Sequence, residues 1–496
     1  MVSRSPSGVA ALLLLLWGTS SIAGGAPEQP PSEDAPEAPL PAYELPEVRV
    51  EVTGERPSPE QIRAREPTGA ISVVEVEDRA GRAPDTAALL TTIPGVHLQQ
   101  LGGFGQAQSL SLRGASSSGV LVMLDGIPLN GAGGLTDLSR LPTAWLSRIE
   151  VLRGGGGAAY GSGALGGAVN LVTRGLSDTP SAEVELGAGS FGAFHGLANF
   201  AGPVLGGEAL LLLHGSTSRG DFPYLHDDTP GHEDPLVERR RMNNDAHLAG
   251  GLLRFRRSLG HDLEVSALAE LGFDERGVAG PALNVTPNRR DAHRRLTAAA
   301  RLDHAPAEGP TLSARAWVRS DDAMITGFGA SSGAQSYQTG AVELSAAHAL
   351  HPAHRVMLEL GFGGERYHAD FSPSAPNRLR AHLSLKDTWI PLDGLLVVPA
   401  LRLEQVGEQT LLAPKVGAEL RLSRHWFLRA NVGQSHRAPS FLELYVVQPG
   451  LAPNPALLPE RAVSGDLGVA WETRVIEASV TAYYGLYENL ITYEFF

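Results

Sequence analysis

The chain has 496 residues, a net charge of −14 at pH 7 and no cysteine. The excess of acidic residues argues against a nucleic-acid-binding protein, which needs a basic face. The absence of cysteine excludes disulfides, thiolate zinc sites and cysteine nucleophiles, and the length suits either two or three domains or one large barrel.

Residues 1–23 have the pattern of a secretory signal peptide. Arg4 comes before a short apolar run at residues 9–17, and a small-residue cleavage site ends at Ala23. This run is too short to cross a bilayer as a helix, and the rest of the sequence holds no run near the ~20 apolar residues that a membrane helix needs. We therefore expect an exported protein, and if it lies in a membrane it must do so as a β-barrel.

Residues 24–46 are predicted to be a linker, because they are rich in proline and acidic residues and contain no lysine or arginine. Such a composition cannot bury a core and favours an extended, mobile segment. Residues 47–54 then alternate between apolar and polar side chains, as a short strand does.

Residues 68–175 predict a mixed α+β domain of ordinary size. Short segments with strand alternation are separated by turns, and four glycines stand in a row at residues 154–157. A phosphate-binding loop needs Gly-Lys-Ser/Thr after its glycines, and a dinucleotide-binding loop needs a long helix there. The sequence has neither, so these glycines indicate close packing of backbone against backbone in a crowded space.

Residues 180–496 consist of short runs with an apolar residue at every second position, separated by polar loops. This pattern is typical of outer-membrane barrel strands, which are ~9–11 residues long. The loops are uneven: residues 217–245 form one long charged loop, whereas other turns are tight. A soluble β-sandwich or propeller is the alternative, and the export signal counts against it.

Several motifs carry a resemblance to one family. In the first half they are "LLTTIPGV", "SLRG", "VLVMLDGIPLN", "SRIEVLRG" and "YGSGALGGAVNLVTR"; in the second half they are "RAPSFLELY", "NPALLPERAVSGDLGVAW" and "ENLITY". In order and spacing they are similar to those of TonB-dependent outer-membrane receptors of the cobalamin and siderophore type. The resemblance implies an N-terminal α+β plug domain inside the lumen of a transmembrane antiparallel β-barrel.

The barrels of this family close with about 22 strands. Residues 180–496 have room for about 15–16 strands with their loops, and in the family further strands follow the segment "ENLITY". The terminal Phe496 also lies out of phase with Ile491, Tyr493 and Phe495. We therefore expect an incomplete barrel and a truncated chain, with open edges that a bilayer does not tolerate.

The resemblance also implies a function, which is active uptake of a scarce ligand through the outer membrane of a Gram-negative cell. The ligand is expected to be an iron–siderophore complex or vitamin B12 (cobalamin). The expected partners are TonB with its inner-membrane energising complex, outer-membrane lipid and the small metal chelate or cobalamin, but no nucleic acid. No catalytic residue, cofactor or resident metal is expected, since the 16 histidines show no metal-binding spacing, and the protein is not expected to be an enzyme.

The family has its TonB box between linker and plug, and a short strand-like segment occupies that position here. It consists of Glu47, Val48, Arg49, Val50, Glu51, Val52 and Thr53. A short extended segment on a tether can add to a partner protein as an edge strand. The other interpretation is that this segment is simply the first strand of the plug.

A latch between plug and barrel is also implied by the resemblance. Arg113 and Arg153 match plug positions that pair with barrel glutamates in the family, and Glu443 and Glu460 match those partners. A buried charge is costly unless it is paired, so such a latch would hold the plug and still let it shift when pulled. The alternative is that these are separate, solvated charges.

Ligand contacts are sought in the long loop, where aromatic, acidic and basic residues lie close together. The candidates are Asp221, Phe222, Tyr224, Arg239, Arg240 and Arg241. Arginines of this kind suit an anionic iron chelate. A solvated loop, or one that binds lipopolysaccharide phosphates, is the competing interpretation.

Three other functions stay open at this point. A passive porin-like or structural outer-membrane barrel would lack a plug in its lumen. A truncated receptor would be non-functional. An exported β-rich enzyme would need a converged catalytic set, for which the sequence shows no motif.

Overall fold

The structure is a computed structural model that describes residues 66–76, 86–227, 236–281, 285–327, 329, 332–372, 375–446, 452–473 and 476–493. The predicted signal peptide, linker and TonB box, and Phe496, lie outside these residues. Within them the chain forms a small mixed sheet, a large antiparallel sheet and a few short helices. None of the helices in these ranges is long and apolar enough to cross a membrane.

The first domain is built on short strands. They are β1 (Ala70–Glu75), β2 (Val96–Gln100), β3 (Gln108–Leu112), β4 (Val120–Leu124), β5 (Ile127–Pro128), β6 (Leu146–Arg153) and β7 (Gly167–Thr173). Five of them form a sheet in the order β1-β6-β7-β4-β5, in which the β4–β7 pair is parallel, and β2 and β3 form a separate hairpin. Short helices connect the strands: α-helices Thr86–Leu90 and Gly157–Tyr160, and 3-10 helices Ser117–Gly119, Leu138–Arg140 and Thr143–Trp145. This α+β arrangement is the predicted plug.

The second domain is a sheet of 15 antiparallel strands. They are β8 (Ser181–Gly189), β9 (Ala193–Val204), β10 (Gly207–Ser218), β13 (Ala246–Ser258), β14 (Leu263–Gly277), β15 (Arg290–His304), β16 (Thr311–Thr326), β17 (Gly333–His351), β18 (His354–Ala369), β19 (Asn377–Leu392), β20 (Leu395–Val406), β21 (Gln409–Arg421), β22 (Trp426–Arg437), β23 (Glu460–Glu472) and β24 (Glu477–Glu488). The strands β11 (Pro223–His226) and β12 (Val237–Arg240) form a separate hairpin in the long loop after β10. The strand count confirms the predicted barrel strands, and among the described residues no pairing joins β8 to β24.

The connections at the two ends of the large sheet differ in length, as the sequence predicts. At one end the connections are long, including the one between β10 and β13 and the one between β22 and β23, which contains the short helix Phe441–Tyr445. At the other end tight turns such as residues 205–206 and 393–394 join neighbouring strands. We call these the loop end and the turn end.

Side chains alternate between the two faces of the large sheet. On β10, Leu210 and Leu212 are buried, whereas Leu211 and Leu213 are 40% and 49% exposed. The buried pair joins a hydrophobic core with plug residues such as Val122, and the exposed pair belongs to the apolar outer face that membrane strands carry. The large sheet therefore curves around the plug and packs its inner face against it.

The glycine-rich stretch packs against neighbouring backbone. A Cβ on Gly157 would lie 2.8 Å from the Cα of Ser435 in the barrel wall. Gly167 has φ +146°, and its Cβ would lie 2.1 Å from the carbonyl oxygen of Leu152 on the adjacent plug strand. Larger side chains would collide at both positions. This confirms that the glycines serve close packing, as the sequence indicates.

Candidate functional site

The plug meets the barrel wall close to its N-terminal end. Glu66 and Lys415 of β21 form a buried ion pair, with the Lys415 Nζ 2.7 Å from a Glu66 carboxylate oxygen. Next to it, Thr68 Oγ1 donates to Asn431 Oδ1 of β22 at 2.8 Å. Burial alone would raise the pKa of Glu66, but the positive charges of Lys415 and Lys386 hold that pKa below its usual range. Glu66 is therefore a paired, ionised carboxylate inside the protein.

A second set of contacts holds the plug to strands β14 and β15. The guanidinium of Arg276 donates to three plug atoms: the Gly105 carbonyl at 3.2 Å, Ser139 Oγ at 3.1 Å and Asp137 Oδ2 at 2.6 Å. It also donates to Asp291 Oδ2 of β15 at 3.1 Å. One buried arginine thus joins two segments of the plug to two barrel strands.

Arg140 of the plug extends this set. Its guanidinium donates to Asp291 at 3.2 Å, lies 3.5 Å from Asp274 and lies 2.8 Å from His293 Nδ1. Arg295 of β15 in turn donates to the Arg140 carbonyl oxygen at 3.2 Å. Opposite charges from both domains alternate here, so each buried charge has a neighbour of opposite sign. We call the contacts of Arg276 and Arg140 the arginine anchor.

Asp137 is the acidic centre of the arginine anchor on the plug side. Burial alone would raise the pKa of its carboxyl, but the charges of Arg140 and Arg276 hold that pKa well below its usual range. Hydrogen bonds from Gln108 N–H and from Ser139 act in the same direction. The carboxylate is therefore ionised throughout the neutral pH range and holds both arginines in place.

The predicted latch between the plug arginines and the barrel glutamates is wrong in its pairing. Glu443 and Glu460 both bind Arg437 at the end of β22: the Arg437 guanidinium donates to the two Glu443 oxygens at 2.9 and 3.0 Å, and its Nε donates to Glu460. The reason is local geometry, because Glu460 lies directly opposite Arg437 in the β22–β23 ladder. Glu443 stands on the short helix that follows β22, where Ser440 caps the first turn.

Arg113 and Arg153 lie near a different acid. Arg113 Nη1 is 3.7 Å from Asp466 Oδ2 of β23, and its guanidinium carbon is 4.5 Å from the centre of the Tyr483 ring on β24. Arg153 Nε has no hydrogen-bond partner among the described residues. Burial lowers the pKa of both guanidinium groups, and Asp466 partly offsets that effect. A charged plug–barrel contact exists here, but its acid is Asp466.

A cavity of 930 Å³ separates the plug from strands β17–β20. Met123 and Asn170 of the plug sheet line one side, and the inner face of the barrel lines the other. The cavity reaches Ser440 at the loop end and Arg254 at the turn end. It therefore extends along the length of the plug.

The barrel wall beside this cavity carries a series of alternating charges, which we call the charge ladder. Its members in order are Arg378, Glu365, Arg380, Glu404, Arg402, Glu359 and His382. The Arg380 guanidinium lies 2.8 Å from Glu365 and 2.6 Å from Glu404, and Arg402 Nη1 lies 3.2 Å from Glu359. Each carboxylate of the ladder has an arginine one or two strands away in the wall, and His382 adds a contact to Glu359.

The predicted ligand-contact residues lie on the β11–β12 hairpin and beside it. The structure brings Phe222 and Tyr224 into ring contact and pairs Arg240 Nη1 with Asp221 Oδ2 at 3.3 Å. Arg241 donates to a backbone carbonyl of the next loop, and Arg239 lies directly opposite Tyr224 in the hairpin. The six residues therefore share one loop, on different faces of it.

Sequence reasoning missed the arginine anchor and the Glu66–Lys415 pair. The sequence carries little signal for Arg276, because it is one of five charged residues on β14 and follows Asp274 and Glu275 directly. Its partner Asp137 stands 139 positions away, and no local pattern links the two. Within the described residues no group of three or more acidic or histidine side chains is arranged to hold a metal ion. The histidine of the anchor, His293, lies between Arg140 and Asp291.

Two family models match the chain. Residues 63–168 match the TonB-dependent Receptor Plug Domain, and residues 233–496, more than half of the chain, match the TonB dependent receptor-like beta-barrel. Vitamin B12 transporter BtuB of Vibrio vulnificus is 37% identical over 123 residues, which are 25% of this chain and 20% of that protein. The sequence match thus spans one fifth of the curated relative.

Solved structures share the fold at low sequence identity. The siderophore receptor PirA from Acinetobacter baumannii superimposes with a TM-score of 0.69 and 17% identity, over 86% of this chain and 71% of that one. The unliganded ferric citrate transporter FecA gives a TM-score of 0.66 and 18% identity, over 85% and 70% of the two chains. The copper transporter OprC gives 0.67 and 16%, over 84% and 71%. With its plug domain, its large antiparallel sheet and a barrel model that matches more than half of its length, the chain belongs to the TonB-dependent receptor family.

Proposed function

We propose that the protein takes up a scarce ligand, an iron–siderophore complex or vitamin B12, across the outer membrane of a Gram-negative cell with energy supplied through TonB. The observation that carries this proposal is the position of the plug, which lies inside the curved sheet and is held there by polar contacts. Contacts such as Arg276–Asp137 and Glu66–Lys415 can break and form again. A domain held in this way blocks the lumen until work is done on it.

The energy has to come from a partner protein. Breaking one buried ion pair costs about 3–5 kcal/mol, and the sequence has no nucleotide-binding motif that would supply such work. Residues 47–53 are the proposed point of attachment for TonB. They precede Glu66 closely in the chain, so a pull on them would act first on the Glu66–Lys415 pair.

The cavity beside strands β17–β20 supports passage on one side of the plug. It extends from Ser440 at the loop end to Arg254 at the turn end, so a modest shift of the plug would widen a space that already exists. The arginine anchor and the contact of Arg113 with Asp466 hold the plug on the other strands. Such a firmly held plug argues against a passive pore.

Both ligand classes have support at this stage. The relative with the sequence match is named a vitamin B12 transporter. Solved structures with this fold are named as ferric citrate, ferric enterobactin and copper proteins. The fold alone is common to all of them, so it does not separate the two classes.

A growth experiment tests the proposal. A strain that lacks its own receptor is supplied with the full chain, with a chain lacking residues 47–53, or with a control chain lacking the seven residues 26–32 of the predicted linker. Under iron or cobalamin starvation, we expect growth with the full chain and the control and no growth without residues 47–53. Equal growth with all three chains would show that uptake does not use this segment.

A further inference from the structure

The outer face of strands β15–β18 changes from apolar to polar near the loop end. Val318 and Phe362 are 57% and 62% exposed and belong to the apolar band. Nearer the loop end, Ser320, Gln338 and Arg366 lie side by side on three neighbouring strands and project to the same face. Membrane strands change in this way where they leave the hydrocarbon core. This row therefore lies at the level of the lipid headgroups.

Two arginines project outward at this level. Arg294 of β15 and Arg366 of β18 are exposed, whereas the next residue along β15, Arg295, is buried inside. No hydrogen bond or ion pair joins either exposed guanidinium group to another residue that the structure describes. Asp322 stands directly opposite Arg294, but its carboxylate accepts from Ser320 Oγ at 3.4 Å instead. Guanidinium groups placed in this way are suited to bind phosphate oxygens.

The distance between the two arginines restricts the kind of headgroup that uses both. Neighbouring strands are ~4.8 Å apart, so three strand spacings place β15 and β18 ~14 Å apart. Ser320 and Gln338 lie on the two strands between them and offer a hydroxyl and an amide. A headgroup that reaches both arginines therefore needs two phosphates at opposite ends of a polar body, which is the form of a doubly phosphorylated disaccharide.

A notch in the apolar band begins beside this row. Gly340 and Gly364 stand directly opposite each other on β17 and β18, one step of the two-residue period toward the turn end. Val342 and Phe362 form the next outward pair, and Leu379 stands opposite Gly364. These three side chains are 54%, 62% and 64% exposed. The notch thus has a backbone floor and apolar walls, and an acyl chain that lies in it gains contacts on several sides.

We propose that this surface binds one lipopolysaccharide molecule through its lipid A, which is an acylated disaccharide with a phosphate at each end. We call the surface the outer patch; it consists of Arg294, Ser320, Gln338, Gly340, Gly364 and Arg366. Each guanidinium group donates to one phosphate, the polar side chains between them bond the sugars, and an acyl chain lies in the notch. This inference rests on the outer-membrane location in the proposed function and adds a lipid site to it.

Native mass spectrometry of the purified full chain in detergent tests the inference, because it counts the lipid molecules that stay bound. The probes are diphosphoryl lipid A, monophosphoryl lipid A and phosphatidylglycerol. We expect one diphosphoryl lipid A to bind at a concentration at least about tenfold below that needed for the other two lipids, a difference that corresponds to ~1.4 kcal/mol. Equal binding of either other lipid, or no bound lipid A, would overturn the inference.

Arginine variants locate the phosphates. Arg294→Ala and Arg366→Ala are each expected to weaken binding of diphosphoryl lipid A about tenfold. The matched control is Arg257→Ala, which removes an exposed arginine of the outer face near the turn end that also has no partner among the described residues. Because no internal contact is lost, all three variants should fold, which the migration of the unheated protein in a gel checks. If Arg257→Ala weakens binding as much as Arg294→Ala, general charge explains the binding and the inference fails.

A further variant tests the notch. Gly364→Leu fills it without a backbone collision, since the nearest atom to the added Cβ would be the Arg378 carbonyl oxygen at 3.5 Å. We expect about tenfold weaker binding of lipid A. Ala300→Leu adds the same side chain to the outer face of β15, outside the notch, and should leave binding unchanged. Equal binding by these two variants would overturn the placement of an acyl chain in the notch.

The two proposals fail in distinguishable ways. Selective binding of lipid A that depends on Arg294 and Arg366, together with growth that ignores residues 47–53, would leave this inference standing and reject TonB-driven uptake. Growth that needs residues 47–53 in a protein that does not distinguish the three lipids would reject the inference and leave the proposed function in place.

Discussion

The two sides by which the barrel holds the plug differ in chemistry. On strands β14 and β15 the arginine anchor uses ionised side chains from both domains, and Arg276 alone makes three contacts with the plug. On strands β20–β23 most contacts involve backbone atoms, such as the Gly163 N–H to the His436 carbonyl at 2.9 Å and the Ala438 N–H to Ser162 Oγ at 3.0 Å. The cavity lies between these two sides.

This difference indicates which of the two groups of plug–barrel contacts breaks first when the plug is pulled. Hydrogen bonds between neutral groups contribute about 0.5–1.5 kcal/mol each, whereas breaking a buried ion pair costs more. The N-terminal end of the described plug lies on strands β21 and β22, where the Glu66–Lys415 ion pair stands among hydrogen bonds of neutral groups. A pull applied there acts on the side with fewer ion pairs between plug and barrel. We therefore expect the plug to turn about the arginine anchor and to widen the cavity as it moves.

The largest effect is expected from breaking the arginine anchor. Arg276→Ala leaves Asp137 and Asp291 buried without this partner, so the free energy of plug unfolding should fall by about 3–5 kcal/mol. Because the chain has no cysteine, a single fluorophore attached at Ser116→Cys can follow plug unfolding in urea.

The matched control is Arg290→Ala on β15. Arg290 pairs with Asp245 and Glu275 within the barrel and is one-third exposed, so its loss should change plug stability by less than about 1 kcal/mol. Equal effects of Arg276→Ala and Arg290→Ala would contradict the assignment of the anchor.

A smaller effect on plug stability is expected from breaking the Glu66–Lys415 pair at the N-terminal end of the plug. Lys415→Met leaves the Glu66 carboxylate buried without its partner, but Lys386 remains as a second positive charge. We therefore expect the free energy of plug unfolding to fall by about 2–3 kcal/mol. Hydrogen–deuterium exchange of peptides that cover residues 66–76 should speed up while the rest of the plug stays protected.

The double variant Glu66→Gln/Lys415→Met serves as the control, because it removes both charges together. It should recover most of the protection that Lys415→Met loses. If Lys415→Met speeds up exchange over the whole plug, the contacts on strands β20–β23 and the arginine anchor do not open independently.

A weaker contact is expected between Arg113 and Asp466, whose charged atoms are 3.7 Å apart. A double-mutant cycle with Arg113→Ala and Asp466→Ala should give a coupling energy of about 1 kcal/mol. The same cycle between Arg113 and Glu460 should give none, because Glu460 binds Arg437. Strong coupling with Glu460 would restore the latch that the sequence suggests.

The smallest effect is expected from pH. The pKa of Asp137 in the folded protein is held below its unfolded value of about 3.9. Its stabilising contribution is therefore complete above that unfolded value, starts to fall below it and is lost as the pH falls through the lower pKa of the folded protein. The rate at which a protease cleaves the plug should stay constant from about pH 8 to pH 5 and rise below about pH 4. Asp137→Asn should be cleaved faster at neutral pH and show a flatter profile; an onset near pH 6 would point to histidine instead.

Much of the fold could be predicted from the sequence because it depends on local patterns. Alternation such as that of Leu210 to Leu213 on β10 marks one face as apolar and outward. The glycines at residues 154–157 have neither the lysine nor the helix of a nucleotide loop, which leaves close packing as their role. Each of these two predictions uses only residues that are close together in the sequence.

The site was less predictable because its contacts depend on long-range register. Glu460 stands opposite Arg437 only once β22 and β23 are paired, and an arginine on a distant plug strand cannot compete with that neighbour. The Asp137–Arg276 contact joins residues 139 positions apart. Family motifs marked the regions that meet, but side-chain partners follow from the packed structure.

The charge ladder has a consequence for repeated turnover. Because Glu365, Glu404 and Glu359 keep their counter-charges within the wall itself, a displacement of the plug leaves none of these three carboxylates without a positive neighbour. In the proposed uptake cycle, we therefore expect this part of the wall to keep its charge pairs, and with them its shape, each time the plug moves.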